Sequence, residues 1–230
     1  MSEYTGDCPN GKPKRAGSRI PVSTGRIPSS GCWRCLIFRA EKELNMAHET
    51  TYILLLRGIN VGGRNKLPTA PFCEQLKSEG FSNVRSYLAS GNLLLDSAEP
   101  VDVIQEKIRA LIRRQITEEI PLLLLEAGSF LREADLRPAW WRKPMARRDV
   151  LFLLDEADPT VVFRRIREMP LREEIVSFGE RVVFWGKYAE ETYSRTAYHR
   201  LLLKESFYPH ITIRNGRTFD RIAQMAEEHI

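Results

Sequence analysis

The sequence predicts an α+β protein made of two tandem ferredoxin-like halves, each with the element order β-α-β-β-α-β. Two observations support this fold class. Apolar runs rich in β-favouring residues alternate with segments of helical periodicity, and the same order of elements starts again about 100 residues further along the chain. This repetition indicates an internal duplication, although few side chains are identical between the halves. A chain of 230 residues with 43% hydrophobic content can bury a sizeable core.

The first half opens with a predicted strand over 51–56, followed by a glycine-rich loop and a helix over 68–79 that begins at Pro68. Ser90-Gly91-Asn92 is typical of a hairpin turn between two strands. A strong apolar stripe predicts a helix after Pro100. The remaining predicted elements of this half are strands 84–89, 93–96 and 121–125 and the helix 100–115.

The second half repeats this order. Asp158-Pro159 predicts the start of a helix, because Asp is a preferred cap and Pro a preferred first residue. Ser194 is expected to begin another helix, and a last helix is expected to end the chain. The predicted strands are 150–154, 175–178, 182–185 and a short strand around 211–213, and the helices are 159–169, one from Ser194 and 217–228.

Four segments follow from this pattern: a tail, 1–46; a first half, 47–126; a linker, 127–148; and a second half, 149–230. The tail is rich in Gly, Pro, Ser and Arg, so we expect disorder there. Met46 stands directly before the first strand, which favours an upstream extension of the gene model over a transit peptide. Cys32 and Cys35 resemble a redox or half-zinc motif but lack the structural context of either.

The net charge of +5 belongs mostly to the tail, which holds eight Lys or Arg and only four acids. A general electrostatic case for nucleic-acid binding by the folded part therefore fails. Four cysteines do not make a disulfide framework, which favours a reducing cytoplasm. No apolar run is long enough to span a bilayer, so no membrane association is expected.

The loop 57–66 is the leading candidate for a ligand site. The loop lacks the Gly-Lys-Ser/Thr of a P-loop, and its glycines, Gly58, Gly62 and Gly63, lack the spacing of a dinucleotide fingerprint. They could nevertheless turn backbone N–H groups toward an anion, with Arg57 as a bidentate clamp, Asn60 as an orienting donor and Lys66 as a point charge. The competing interpretation is that the glycines only serve a tight loop, while Arg57 and Asn60 bond to nearby carbonyl groups.

Other polar residues are weaker candidates for the same site. Ser90 and Asn92 belong to the hairpin turn, which we expect at the opposite end of the sheet from the loop 57–66. Arg195 stands at a predicted helix start, where it could reach a phosphate but capping is the simpler explanation of the segment. Arg214 and Asn215 stand at a strand end, where Asn is a routine cap or turn residue. The histidines fall in separate elements, so the sequence supports no catalytic constellation, metal site or cofactor, and leaves open whether the protein is an enzyme.

The string Leu55-Leu56-Arg57-Gly58-Ile59-Asn60-Val61-Gly62-Gly63, with Lys66 and the later Tyr87-x-x-Ser90-Gly91-Asn92, resembles an uncharacterised bacterial family, domain of unknown function 1697. The closing segments Arg195-Thr196 and Arg214-Asn215-x-x-Thr218 are similar to the end of that family. The resemblance covers Thr51 to about Met225 and implies an α+β fold with two plait-like halves, but no activity. Two positions depart from the family: Thr196-Ala197 replaces a usual Ser-Lys, and Gly216 replaces a common aromatic residue.

Two functional hypotheses remain open. The first is binding of a phosphorylated metabolite or nucleotide by the loop 57–66. The alternative is a non-enzymatic module that contacts RNA or protein through the linker, where Trp140 and Trp141 stand among arginines. The first requires a pocket at the loop, and the second requires an exposed aromatic surface.

Overall fold

The structure is a computed structural model that describes residues 49–230. The predictions for the tail, including disorder, the upstream gene-model extension and the Cys32–Cys35 motif, lie outside the described residues. Within the described part, the prediction of an α+β chain is confirmed. The strands form two four-stranded antiparallel sheets.

The first sheet has the strand order β2-β3-β1-β4, and its helices lie close to the predicted positions. Residues Ile53 to Leu56 are fully buried, because both faces of the central strand are covered. The elements are β1 Thr50–Leu56, α1 Thr69–Ser78, β2 Ser82–Ser86, β3 Asn92–Ser97, α2 Val101–Arg113, β4 Leu122–Glu126 and α3 Ala127–Asp135.

The second sheet repeats the arrangement, with the order β6-β7-β5-β8. Asp158 caps α4 as predicted, since its carboxylate accepts a hydrogen bond from the amide of Thr160. The elements are β5 Arg147–Leu153, α4 Pro159–Arg167, β6 Glu174–Phe178, β7 Val182–Lys187, α5 Ala197–Arg200, β8 Ile211–Asn215 and α6 Gly216–Glu227.

The expected helix from Ser194 is wrong. A 3-10 turn at Tyr193–Arg195 ends at Thr196, whose hydroxyl accepts a hydrogen bond from the amide of His199 and caps a single helical turn, α5. Two further 3-10 turns, Leu202–Lys204 and Tyr208–His210, lead into β8. The capping hydroxyl and a late proline divide a segment whose apolar spacing suggested one helix.

The expected separation of the hairpin from the loop 57–66 is also wrong. Because β1 and β3 are antiparallel, the end of β1 lies beside the start of β3, and Leu55 pairs with Asn92. The amide of Leu56 donates to the carbonyl of Gly91 at 2.8 Å. The loop after β1 and the hairpin turn therefore meet at the same end of the sheet.

A central core joins the two halves. The inner faces of both sheets, α3, α6 and the two linker tryptophans contribute to one cluster of buried side chains. Phe219 of α6 lies at its middle, with its ring centroid 5.2 Å from that of Phe130 and 5.8 Å from that of Phe184. The outer face of each sheet carries a separate core. Among residues 49–230, no helix combines the length and apolar character required to cross a bilayer.

We predict that Phe219→Ala lowers the free energy of unfolding by about 3–5 kcal/mol, because it leaves a cavity among well-packed aromatic rings. Unfolding should remain a single transition, since both halves depend on this core. Chemical denaturation followed by fluorescence and circular dichroism measures both quantities. Phe163→Ala, at a half-buried position of α4 that packs against the outer core of the second sheet, is the control and should cost clearly less. Two separate transitions in the wild-type protein would contradict a shared core.

Candidate functional site

The backbone conformation of the loop 57–66 explains its glycines. Gly58, Gly62 and Gly63 have φ angles of +73°, +58° and +79°, a region that favours glycine. A Cβ added to any of them would meet no atom within 4 Å, so close approach to another part of the fold is not what requires them. The loop is largely exposed, and the ammonium group of Lys66 makes no hydrogen bond to residues 49–230.

Asn60 holds this loop together. Its side-chain oxygen accepts from the amide of Leu67 at 2.8 Å, and its side-chain nitrogen donates to the carbonyls of Leu67 and Ala89 at 2.9 and 2.7 Å. The same amide group thereby closes the loop and ties it to the hairpin turn. Asn60 is thus committed to local structure.

Arg57 crosses to the second half. Its Nε donates to the carbonyl of Ile211 at 2.7 Å, and its Nη2 to the carbonyl of Tyr208 at 3.2 Å. The guanidinium also lies over the Tyr208 ring, 5.2 Å from its centroid. Main-chain oxygens therefore accept the hydrogen bonds that the anion hypothesis requires Arg57 to donate to a ligand.

Arg214 makes the reciprocal connection from β8 into the first half. Its Nη2 donates to the carbonyls of Leu56 and Gly91 at 2.8 and 3.3 Å, and its Nε donates to the side-chain oxygen of Asn92. Its Nη1 donates to the Thr212 hydroxyl and the Ile213 carbonyl. The five N–H donors of a guanidinium are thereby all used. Burial lowers the pKa of Arg214 to about 10, which leaves it charged at neutral pH.

The hairpin residues complete this junction. The side-chain nitrogen of Asn92 donates to the carbonyl of Tyr87 at 2.8 Å and to the hydroxyl of Ser90 at 3.0 Å. Gly91 is required by packing, because an added Cβ would lie 2.7 Å from Cβ of Leu56. The structure therefore brings five of the predicted site residues together, and their hydrogen bonds connect the loop, the hairpin turn and the second half. These residues are Arg57, Asn60, Ser90, Asn92 and Arg214.

The remaining predicted residues lie elsewhere. Arg195 is exposed at the end of a 3-10 turn. Asn215 caps α6, since its side-chain oxygen accepts from the amide of Arg217 at 2.9 Å. Within the described range, no group of three or more His, Cys, Asp or Glu side chains is arranged to hold a metal ion.

The linker does not expose its tryptophans. Trp140 and Trp141 are 7% and 3% exposed and belong to the central core. Their indole N–H groups donate to the Ser177 hydroxyl and the Asp220 carboxylate. The aromatic surface that the alternative hypothesis requires is therefore not exposed at these two residues, because both rings are buried at the junction while Arg142 and Lys143 stay at the surface.

A small cationic cavity lies where β5 and α6 begin. Its volume is about 170 Å³, and Arg147, Arg148 and Arg217 line it; over residues 49–230, no acidic side chain does. Gly216 starts the helix here, and a Cβ at this position would come within 3.0 Å of Cβ of Arg148. The absence of a side chain at Gly216 thus lets α6 begin directly against the strand. We call this space the arginine cavity.

A larger cavity adjoins it. The space has a volume of about 530 Å³ and shares Arg148 with the arginine cavity. Asp135 and Asp220 contribute carboxylates, and Arg137 and Arg142 contribute guanidinium groups. We call this space the linker cavity. The other residues that line it are Ala134, Pro138, Ala139 and Trp141.

A buried ion pair contacts Arg147, one of the residues that line the arginine cavity. Lys187 and Asp149 are both fully buried, with Nζ 2.6 Å from a carboxylate oxygen of Asp149. The same carboxylate accepts from Nε of Arg147 at 2.9 Å, and Nη1 of Arg147 donates to the Tyr193 hydroxyl. Burial lowers the pKa of Lys187, although Asp149 opposes this shift. For Arg147 the balance is reversed: burial lowers its pKa, but the charge and hydrogen bond of Asp149, together with Tyr198 and Tyr193, raise it overall.

Neither cavity could be predicted from the sequence. Arg147 and Arg148 were visible as part of a basic linker, but nothing in their spacing showed that α6 would place Arg217 beside them. Only Asn215 of the arginine cavity was a candidate. One indication of this site was present in the sequence, namely Gly216 in place of the aromatic residue common in the family. A missing side chain at a helix start indicates either close packing or space for a ligand.

The comparisons with known proteins agree with this architecture. Residues 49–184 match the family described as Protein of unknown function (DUF1697). The chain belongs to this family. No curated protein matches the chain.

A solved structure resembles this DUF1697 chain over nearly all of its own length. It is the conserved bacterial protein SP0830 from Streptococcus pneumoniae, which is 41% identical in sequence, with a TM-score of 0.72. The match covers 78% of this chain and 99% of that protein. At this identity the two share a fold, including both halves.

We predict that Arg214→Lys lowers the free energy of unfolding by about 2–4 kcal/mol. An ammonium group has three donors in place of five, so buried acceptors lose their partners. Arg57→Lys, at a half-buried position with two such bonds, is the matched control and should cost less. Urea titration of both variants measures the difference. Equal losses would show that the burial of Arg214 does not matter.

We predict that Asp149→Asn is strongly destabilising, by about 3–5 kcal/mol, since it removes the carboxylate that pairs directly with the buried Lys187 ammonium. Adding Lys187→Met should then recover part of the loss, because the uncompensated charge is gone. Denaturation of the single and double variants tests this. A double variant less stable than Asp149→Asn would mean that the buried charge is not the source of the cost.

Proposed function

We propose that this protein binds a small phosphorylated ligand, and that the arginine cavity holds its phosphate group. One observation carries the proposal: Arg147, Arg148 and Arg217 surround a cavity of about 170 Å³ at the beginning of a 12-residue helix. This keeps the ligand class expected from the sequence and moves its site from the loop 57–66 to the second half.

The chemistry of the cavity suits a phosphate. Guanidinium groups recognise phosphate oxygens through paired charge-assisted hydrogen bonds. The first amides of a helix add about half a positive charge at the same end. The cavity is large enough for a phosphate group and too small for most of a metabolite, so the rest of the ligand must lie outside it.

The three arginines are unequally committed. Asp149 and Tyr193 hold Arg147 in place, which fixes its orientation and reduces its net charge. Arg148 donates through Nη1 to the carbonyl of Trp141 and leaves Nη2 for a ligand. Arg217 is exposed and has no side-chain hydrogen bond within 49–230. Arg148 and Arg217 would therefore contact the phosphate directly. Arg147, held by Asp149 and Tyr193, would line the cavity without donating to the ligand.

The loop 57–66 supports the proposal less well. Arg57 and Asn60 bond to main-chain groups, so only Arg64 and Lys66 are left for an anion there. Stacking of RNA bases on the linker is disfavoured because both tryptophans are buried. Any reaction at the arginine cavity would depend on electrostatic stabilisation and positioning.

We also propose that the halves are ferredoxin-like plaits related by duplication. The orders β2-β3-β1-β4 and β6-β7-β5-β8 are equivalent, and every pairing is antiparallel. In both halves a helix follows the last strand and enters the central core. The boundaries expected from the sequence, 47–126 and 149–230, enclose most of each unit, but α3 lies in the segment 127–148 and β5 begins there, at Arg147.

We predict that Arg217→Ala weakens binding of inorganic phosphate and AMP at least tenfold, which corresponds to loss of a charge-assisted hydrogen bond worth about 1.5–3 kcal/mol. Isothermal titration calorimetry at low salt measures the affinities. Arg221→Ala, one turn further along α6, is the matched control and should bind normally. A joint Arg64→Ala and Lys66→Ala variant should also bind normally. Loss of binding in that variant, with Arg217→Ala unaffected, would return the site to the loop.

A further inference from the structure

We propose that the ligand is a phosphomonoester whose uncharged body carries hydroxyl or amino donors, and that the linker cavity holds this body. The inference rests on the proposed function, since it takes the phosphate to lie in the arginine cavity. It adds the chemical class of the remainder of the ligand.

The two cavities share Arg148 as a common wall. A ligand whose phosphate contacts this guanidinium is directly beside the linker cavity. With about 530 Å³, the linker cavity falls within the usual range for small-molecule sites, whereas the arginine cavity is well below it. The sizes therefore assign the phosphate to the small space and the body to the large one.

The linker cavity offers acceptors. Oδ1 of Asp220 accepts from Nε1 of Trp141 at 2.9 Å and from Nη1 of Arg137 at 3.2 Å. Its second carboxylate oxygen accepts no hydrogen bond from residues 49–230, and this side chain is 37% exposed. Asp135 is exposed at the end of α3 and makes no side-chain hydrogen bond in the described range.

Ionised carboxylates only accept hydrogen bonds, so the groups that they recognise are donors. Sugar hydroxyls and exocyclic amines are donors of this kind. A second phosphate in the linker cavity would meet the carboxylates of Asp135 and Asp220 beside its guanidinium groups, whereas the arginine cavity is lined by no acidic side chain of residues 49–230. The division of charge therefore favours one phosphate on a neutral, donor-rich body, as in a sugar phosphate or a nucleoside monophosphate.

Calorimetry with inorganic phosphate, ribose 5-phosphate and AMP tests the inference on the full chain. Both esters, or one of them, should bind at least tenfold more tightly than inorganic phosphate. The ester that binds more tightly identifies the body as a sugar or a nucleoside.

The decisive variant is Asp135→Asn, because its two possible effects have opposite signs. Removal of a negative charge alone would strengthen binding of every phosphate compound. Loss of an acceptor should instead weaken ester binding about fivefold or more, without weakening inorganic phosphate. Asp220→Asn is the second variant, and Asp102→Asn, an exposed aspartate in the first turn of α2, is the control.

The outcomes separate the two claims. Esters that bind no more tightly than inorganic phosphate, or that bind unchanged or more tightly to both Asp135→Asn and Asp220→Asn, would overturn the inference and leave the phosphate site standing. Absence of binding by all three compounds to the wild-type protein would overturn the phosphate site itself.

Discussion

Two arginines that cross between the halves constrain the rest of the structure. Arg57 leaves the first half and bonds to carbonyls before and at the start of β8, and Arg214 leaves β8 and bonds to carbonyls at the end of β1. Neither has a carboxylate partner in the described chain, so main-chain oxygens and Asn92 offset the cost of burying these charges. Residues that resemble a ligand clamp in the sequence therefore connect the two halves through hydrogen bonds.

This connection determines where a ligand can bind. The central core and the crossing arginines fix β8 against the first half, and α6 continues directly from β8 into that core. The start of α6 is thereby held against the start of β5, where Gly216 allows Arg148 to approach closely. The packing that brings the positive groups of the arginine cavity together also engages Arg57 of the loop 57–66 in hydrogen bonds to main-chain carbonyls. The buried pair of Asp149 and Lys187 further restricts Arg147.

Much of the fold could be predicted from the sequence, because helical periodicity, proline at helix starts and β-favouring runs are local signals. The failures have tertiary causes. The Thr196 cap broke an apparent helix, and the antiparallel pairing of β1 with β3 brought Asn92 to Leu55. The candidate site was harder to predict, since Arg148 and Arg217 lie about 70 residues apart and meet only through the packing of α6. A charge pattern alone could not separate structural arginines from available ones.

The most direct test of the account is a nuclear magnetic resonance titration of the labelled protein with AMP. We predict that the largest amide shifts fall on Ala146, Arg148, Gly216 and Arg217, while the loop 57–66 stays nearly unchanged. Largest shifts within that loop, with little change at the start of α6, would contradict it.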